Sequence, residues 1–210
     1  MLSLLNKNEK NKKTLKNSKK RAINRSRNKN KNRKSKKLKY GGATLNKKMI
    51  IQYGNITLDS QNNPNRDLTE EYNTNLLNKQ PNITLQDFDT ELDKGKNYLL
   101  TLTDPDAMGN TWTHWVALLD ANGKIIKHYV EYEGPSPPSN SGVHHYTFQL
   151  YDASTLTISS STLDKISRGD YFALRLNPIL EEKQVLAKVV FTIDSSKIKE
   201  LKKKKELAVQ

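Results

Sequence analysis

Cysteine is absent from the 210 residues, which excludes disulfides, thiolate zinc sites and cysteine nucleophiles. Long apolar runs are missing too. None approaches the roughly 20 residues that span a bilayer, and the opening apolar patch is too short for a signal peptide. The expected location is therefore cytoplasmic, or packaged inside a virion, which would suit the Asn/Lys-biased composition; neither signal-peptide secretion nor a transmembrane span is expected. Acids are scarce at one end. Residues 1–39 hold 17 Lys or Arg and a single acid, Glu9, a net of +16, while the rest has 19 basic and 21 acidic residues, a net of −2. Aromatics are missing from the same segment, the first being Tyr40.

Such a Lys/Arg/Asn/Ser tail cannot bury enough apolar surface to offset its chain entropy, so residues 1–44 are expected to be disordered. Its cations, Lys19, Lys20, Arg21, Arg25, Arg27, Arg33, Lys34, Lys36 and Lys37 in particular, could contact nucleic acid phosphates or an anionic membrane without sequence preference. With no aromatic to stack on a base, sequence-specific recognition is not expected.

After the hinge Tyr40-Gly41-Gly42, the chain reads as short strands. Residues 48–58 give two strands about Gly54-Asn55, and residues 82–88 alternate as a half-buried strand. Residues 98–103 form a strand cut off at Asp104-Pro105, since proline cannot donate to a ladder. Residues 113–119 and 125–132 form a hairpin about Asn122-Gly123. A Pro-rich loop (134–142) leads to a strand at 143–151. Residues 59–79 read as loop with a helical turn near 68–72, and residues 155–180 are ambiguous, with a short helix near 171–176. A strand at 185–193 and a basic helix at 195–208, capped by Ser195, close the chain. Strands at short spacing with few helices argue an all-β sandwich or a related Greek-key sheet. The expected domains are a tail (1–44), a β domain (45–196) and a basic C-terminal helix or tail (197–210).

All four histidines fall between residues 98 and 151, and three of them, His114, His144 and His145, lie in the segments considered below. Strand alternation puts Trp112 and His114 on one face, and His144 and Tyr146 on another, with His145 turned away. If these strands are neighbours, Asp104, His114, His144 and Tyr146 converge at one end of a sheet. Imidazoles and a phenol can donate to a small anion while the carboxylate orients a ring. The proline loop would form a rigid rim.

The segments TDPDA (103–107), THW (113–115), YEGPSPP (132–138) and GVHHYTFQLY (142–151) together resemble the phosphatidylethanolamine-binding protein family, whose hallmarks are D-P-D-x-P and G-x-H-R. The likeness extends over residues 45–196. It implies a β-sandwich of two antiparallel sheets with short helices and a C-terminal helix, and a small pocket for phosphate, acetate or phosphorylethanolamine-type groups. The pocket residues it implies are Asp104, Trp112, His114, Pro137, Pro138, His144 and Tyr146. It further implies a regulatory or inhibitory binding module, with a signalling kinase or a protease as partner, no cofactor and no common catalytic reaction. Three positions depart from the family pattern: Met108 replaces the second hallmark proline, His145 the arginine, and Ser136 a usual glycine.

Two other function classes compete. One is a scaffold or packaging protein whose basic tail binds polyanions. The other is a metal-dependent enzyme using His114, His144 and Asp104. A Ser-His-Asp hydrolase is disfavoured, because Ser136 lies in a proline loop and not in a G-x-S-x-G elbow.

Overall fold

Two sharp turns and one long buried strand set the architecture. The computed structural model describes residues 47–88, 90, 93, 95–158 and 166–208, all within one unit, Leu45–Gln210. The expected tail, its nine named cations and the Gly41-Gly42 hinge lie outside the described residues. Among the described residues there are nine strands. A small sheet holds β1 (Lys48–Tyr53), β2 (Ile56–Asp59) and β4 (Asn82–Gln86), in the order β2-β1-β4. A larger one holds β3 (Asn65–Asp67), β5 (Tyr98–Asp104), β6 (Trp112–Leu119), β7 (Ile125–Val130), β8 (Val143–Asp152) and β9 (Ala187–Asp194), in the order β3-β9-β8-β5-β6-β7. All pairings are antiparallel except β3 with β9. That short parallel strand is an addition to what the sequence pattern predicts, while the short helix expected near 171–176 is there as a π-helical turn, Phe172–Leu176, flanked by α2 (Arg168–Tyr171) and α3 (Asn177–Leu180). A single-turn helix α1 (Thr69–Tyr72) occupies the expected 68–72 turn, and α4 (Ser195–Ala208) ends the described chain.

The layers follow from which face each side chain takes. Met49, Ile51 and Leu58 of the small sheet pack against Leu100, Leu102, Phe148 and Phe191 of the large one. On the other face, Leu99, Val116 and Tyr151 meet Tyr171, Leu176 and Leu180 of the helical segment. β5 is therefore buried along its whole length, which is why it reads as a nearly continuous apolar run. Each fully buried Leu or Phe contributes roughly 1.5–3 kcal/mol to holding these layers together. The β6–β7 turn is pressed onto the small sheet. Gly123 sits at φ +90°, and a Cβ there would come within 2.6 Å of the Ile83 carbonyl oxygen, so only glycine fits.

The cap of α4 is Asp194, whose Oδ1 accepts the Ser196 N–H at 3.1 Å. Ser195, the expected cap, instead turns its hydroxyl towards Ser141 at 3.2 Å. At the far end of β5, Asp93 is buried and bonded to Lys47, to Thr90 Oγ1 at 2.6 Å and to Tyr98 Oη at 3.0 Å. Burial pushes its carboxyl up, but these donors outweigh burial and hold it below the usual carboxylate range. A depressed folded-state value gives stability that is present above pH ~4, the unfolded value, and lost as pH falls through the folded one. We expect Asp93→Asn to flatten this acid limb of thermal melts. At neutral pH the same change should cost roughly 3 kcal/mol, because Lys47 keeps a buried charge without its partner.

Candidate functional site

A β-bulge builds one wall of the site. Leu102 pairs with Trp115, yet the next residue, Thr103, pairs with Thr113, so His114 is the extra residue. A bulge re-aims side chains. Here it lets Trp112 and His114 face the same side as Trp115 and Ala117, which regular alternation would forbid. Trp115 and Ala117 enter the core between the sheets, whereas Trp112 and His114 line a cavity of about 320 Å³ at the end of the sheet. Asp104 from the end of β5 joins them, with His144 and Tyr146 from β8. The loops add Ala107 and Met108 from one side and Glu133, Ser136 and Pro138 from the other. A wider depression of about 780 Å³ opens at the opposite end of β5, beside Gln86, Asn97 and Asn122. It contains neither a histidine nor a buried unpaired polar side chain, so the chemistry favours the smaller cavity.

Hydrogen bonding within the site is directional. Asp104 is 3% exposed and His144 1%. His144 Nδ1 contacts Asp104 Oδ2 at 2.7 Å, and its Nε2 contacts Ser141 Oγ at 2.7 Å. Ser141 donates its single proton to the Pro138 carbonyl at 2.6 Å, so the His144 Nε2–H donates to Ser141. Both ring nitrogens are thus held inside the protein. His114 donates its Nδ1–H to the Glu133 carbonyl oxygen at 2.9 Å. Burial pushes its pKa down, against the raising effect of that bond and of nearby Asp104 and Glu133. The ring is neutral near pH 7, and its Nε2 offers a lone pair. The expectation that both imidazoles donate to a ligand is therefore overturned, because the fold has already used their N–H groups.

Tyr146 is different. Its hydroxyl is buried at the cavity with no hydrogen bond of ordinary geometry, although the Asp104 carboxylate lies near enough to act on it as an acceptor. Burial foremost, then the charge of Asp104, push the phenol up, so it stays a donor. Its ring sits edge-on to His114 at 5.2 Å and stacks on Phe191 at 5.0 Å, which fixes where the hydroxyl points.

The proline rim is half as expected. Ser136 and Pro138 line the cavity and Pro137 does not. Ser136 and Pro137 each precede a proline and so favour extended backbone, which turns successive residues to opposite sides. Met108, in place of a hallmark proline, stands 83% exposed at the mouth. His145 is turned outward, as alternation predicts, and pairs with Asp106. Its backbone N–H and its Nδ1 both reach Asp106 Oδ2, at 2.8 and 2.7 Å. The Asp106 N–H in turn donates to Asp104 Oδ1 at 2.9 Å, which ties the 105–111 loop to the site.

Two site residues escaped the sequence reading. Glu133 lines the cavity, with Oε1 accepting the Trp112 indole N–H at 3.2 Å and Oε2 the Arg168 Nε–H at 2.8 Å. Arg168 also points Nη1 at the carbonyls of Thr113, His114 and Glu131, each at 3.0 Å. No group of three or more His, Cys, Asp or Glu is placed for a metal among the described residues. His114 is directed at a backbone carbonyl and His144 at a carboxylate and a hydroxyl, so the expected His/His/Asp triad is not assembled as a ligand set. No helix of the described residues is long and apolar enough to cross a membrane.

Comparison with known proteins agrees with this fold. The family model described as Phosphatidylethanolamine-binding protein matches residues 59–198. A UPF0098 protein of Pyrococcus horikoshii is 32% identical over 85 residues, which is 30% of this chain and 43% of that protein. A second, from Pyrococcus abyssi, is 31% identical over 28% of this chain and 46% of its own length, so the match spans less than half of these curated relatives. Among solved structures, the phosphatidylethanolamine-binding protein from Plasmodium vivax superposes with a TM-score of 0.51 at 16% identity, over 71% of this chain and 85% of that one. Carboxypeptidase Y inhibitor, solved in complex with its cognate proteinase, gives 0.50 at 19% identity, over 70% and 83%.

Proposed function

Because this chain belongs to the phosphatidylethanolamine-binding protein family, we propose that it is a binding protein whose cavity takes a small phosphoanion or phospholipid headgroup. In this reading it acts as a regulatory or inhibitory module rather than by turning over a substrate. The observation that carries the reading is the Tyr146 hydroxyl, buried without a hydrogen bond of ordinary geometry on the wall of a cavity of headgroup size. A buried donor left so poorly bonded costs stability, and an anionic oxygen on a ligand would relieve that cost. The occupied loops 105–111 and 131–141 would then form a surface that depends on the ligand. Because one protein of the same fold is an inhibitor solved with its proteinase, the proposed partner is a protease or a signalling kinase; this step is an analogy of fold.

Tyr146→Phe is the direct test. It removes one hydroxyl and leaves the ring stacking in place. A hydrogen bond to a charged ligand corresponds to roughly a tenfold to hundredfold change in affinity, so calorimetric titration with phosphorylethanolamine should weaken by that factor. Thermal stability should be unchanged or slightly raised. Equal affinity in the variant and the native protein would refute the assignment of Tyr146 as the anion contact.

A further inference from the structure

With no cysteine in the chain, all of its sulfur is in three methionines. Two of them are among the described residues, and the fold treats them in opposite ways. Met49 is fully buried in the core between the sheets. Met108 is 83% exposed and also lines the cavity that holds Tyr146. Its thioether is open to small solutes, while that of Met49 is reached only when the core opens.

The loop keeps Met108 at the mouth. On one side of it the Asp106 N–H donates to Asp104 Oδ1 at 2.9 Å, and Asp106 Oδ2 holds the His145 ring at 2.7 Å. On the other side Gly109 turns the chain at φ +93°, and Asn110 Nδ2 donates to Asp170 Oδ1 at 3.2 Å. A residue anchored before and after stays over the cavity whatever happens to its side chain.

Oxidation to the sulfoxide replaces a flexible apolar side chain with a polar one. The thioether is a weak acceptor, whereas the sulfoxide oxygen carries partial negative charge, accepts strongly and brings no donor. Two side-chain hydroxyls on the wall can serve a bound anion. They are that of Tyr146, which makes no hydrogen bond of ordinary geometry, and that of Ser136 at the rim. The Trp112 indole N–H is taken by Glu133, and the N–H groups of His114 and His144 are held within the protein. The charged lining residues, Asp104 and Glu133, are both carboxylates. A sulfoxide at position 108 therefore competes with an anion for the two hydroxyls and adds negative charge where there is already an excess.

We propose that Met108 is a site of reversible oxidation that closes the cavity to anions. A hydroperoxide supplies the oxygen. The S–O bond forms as the O–O bond breaks, the sulfur loses two electrons, and the peroxide is reduced to water or an alcohol. A thiol-dependent sulfoxide reductase reverses the step, releasing the oxygen as water while two thiols become a disulfide. This rests on the anion-pocket reading given above and adds a means of regulating it.

The test treats the full chain with hydrogen peroxide and follows each methionine by peptide mass spectrometry. Met108 should oxidise roughly tenfold or more faster than Met49, which waits on opening of the core. Calorimetric titration with inorganic phosphate should then show an affinity weakened by roughly threefold to tenfold, the size of one ordinary hydrogen bond. Treatment with methionine sulfoxide reductase should restore it. Met108→Leu conserves volume and removes the sulfur, so peroxide should leave its affinity unchanged, whatever the starting value. Oxidation of Met108 no faster than that of Met49 would overturn this inference and leave the anion pocket standing. So would an affinity that peroxide does not alter, or an equal loss in Met108→Leu. If neither phosphate nor phosphorylethanolamine binds the untreated protein, the pocket reading itself falls and the gating falls with it.

Discussion

Replacing Asp104 with alanine should cost about 3 kcal/mol of stability and abolish ligand binding together. Both carboxylate oxygens are in use. One takes His144 Nδ1 at 2.7 Å and the other the Asp106 N–H at 2.9 Å. His144 is 1% exposed, so the variant would leave a buried imidazole N–H facing no acceptor. Breaking a buried, hydrogen-bonded charge pair from one side costs roughly 3–5 kcal/mol. The second bond matters for function, since the 105–111 loop that carries Ala107 and Met108 to the cavity is held by Asp104 and by the Asp106–His145 contact. Asp104→Asn keeps an acceptor of the same shape but not the charge, and should lose about half as much. Denaturant midpoints at neutral pH measure both. An alanine variant within ~0.5 kcal/mol of the native protein, the range of ordinary surface substitutions, would show that the pair does not hold the site together.

The parts of this design visible in the sequence are those with a period or a turn. Alternation in YTFQL placed Tyr146, Phe148 and Leu150 on one face, and the Asn122-Gly123 pair marked the hairpin, because each is decided by neighbours in the chain. Convergence of Asp104, His144 and Tyr146 needed only that β5 and β8 be adjacent, and they are. The bulge at His114 left no local mark. Alternation put Trp112 and His114 together, but the same rule would have put Trp115 on the opposite face, and the register shift brings it to theirs. β3, with the sequence Asn-Arg-Asp, has no strand propensity; its pairing with Val190–Thr192 of β9 makes it a strand. Glu133 sat in a loop without a period, and its partner Arg168 lay 35 residues on in the ambiguous stretch. Their contact exists because α2 packs beside β6, a tertiary fact that composition cannot carry. The proline rim was legible as a rim. Which of its residues face inward was set by backbone direction.

Arg168→Met should cost roughly 2 kcal/mol and, more tellingly, loosen the cavity wall while the rest of the sandwich stays intact. The bulge that aims His114 takes carbonyls out of the regular ladder, and Arg168 Nη1 gathers those of Thr113 and His114 together with Glu131. Its Nε holds Glu133 Oε2 at 2.8 Å. One guanidinium thus fixes both the strand that presents His114 and the carboxylate opposite it. Hydrogen bonds to a charged group contribute about 1.5–3 kcal/mol when fully counted. The Arg168 side chain is 21% exposed, so water replaces part of what is lost and the lower figure applies. Arg168→Lys should not rescue, because one ammonium cannot serve the carbonyls and the carboxylate at once, whereas the planar guanidinium spans them. A purely structural role would lower the melting temperature and leave the site unchanged at 25 °C. A positioning role makes a further demand. Well below the melting temperature, the His114 ring signals in NMR should shift or broaden as the Nδ1 bond to the Glu133 carbonyl loosens, and affinity for phosphorylethanolamine should fall. Full recovery of the His114 signals and of affinity in Arg168→Lys would show that a positive charge alone suffices, and that the fork of the guanidinium does not set the wall.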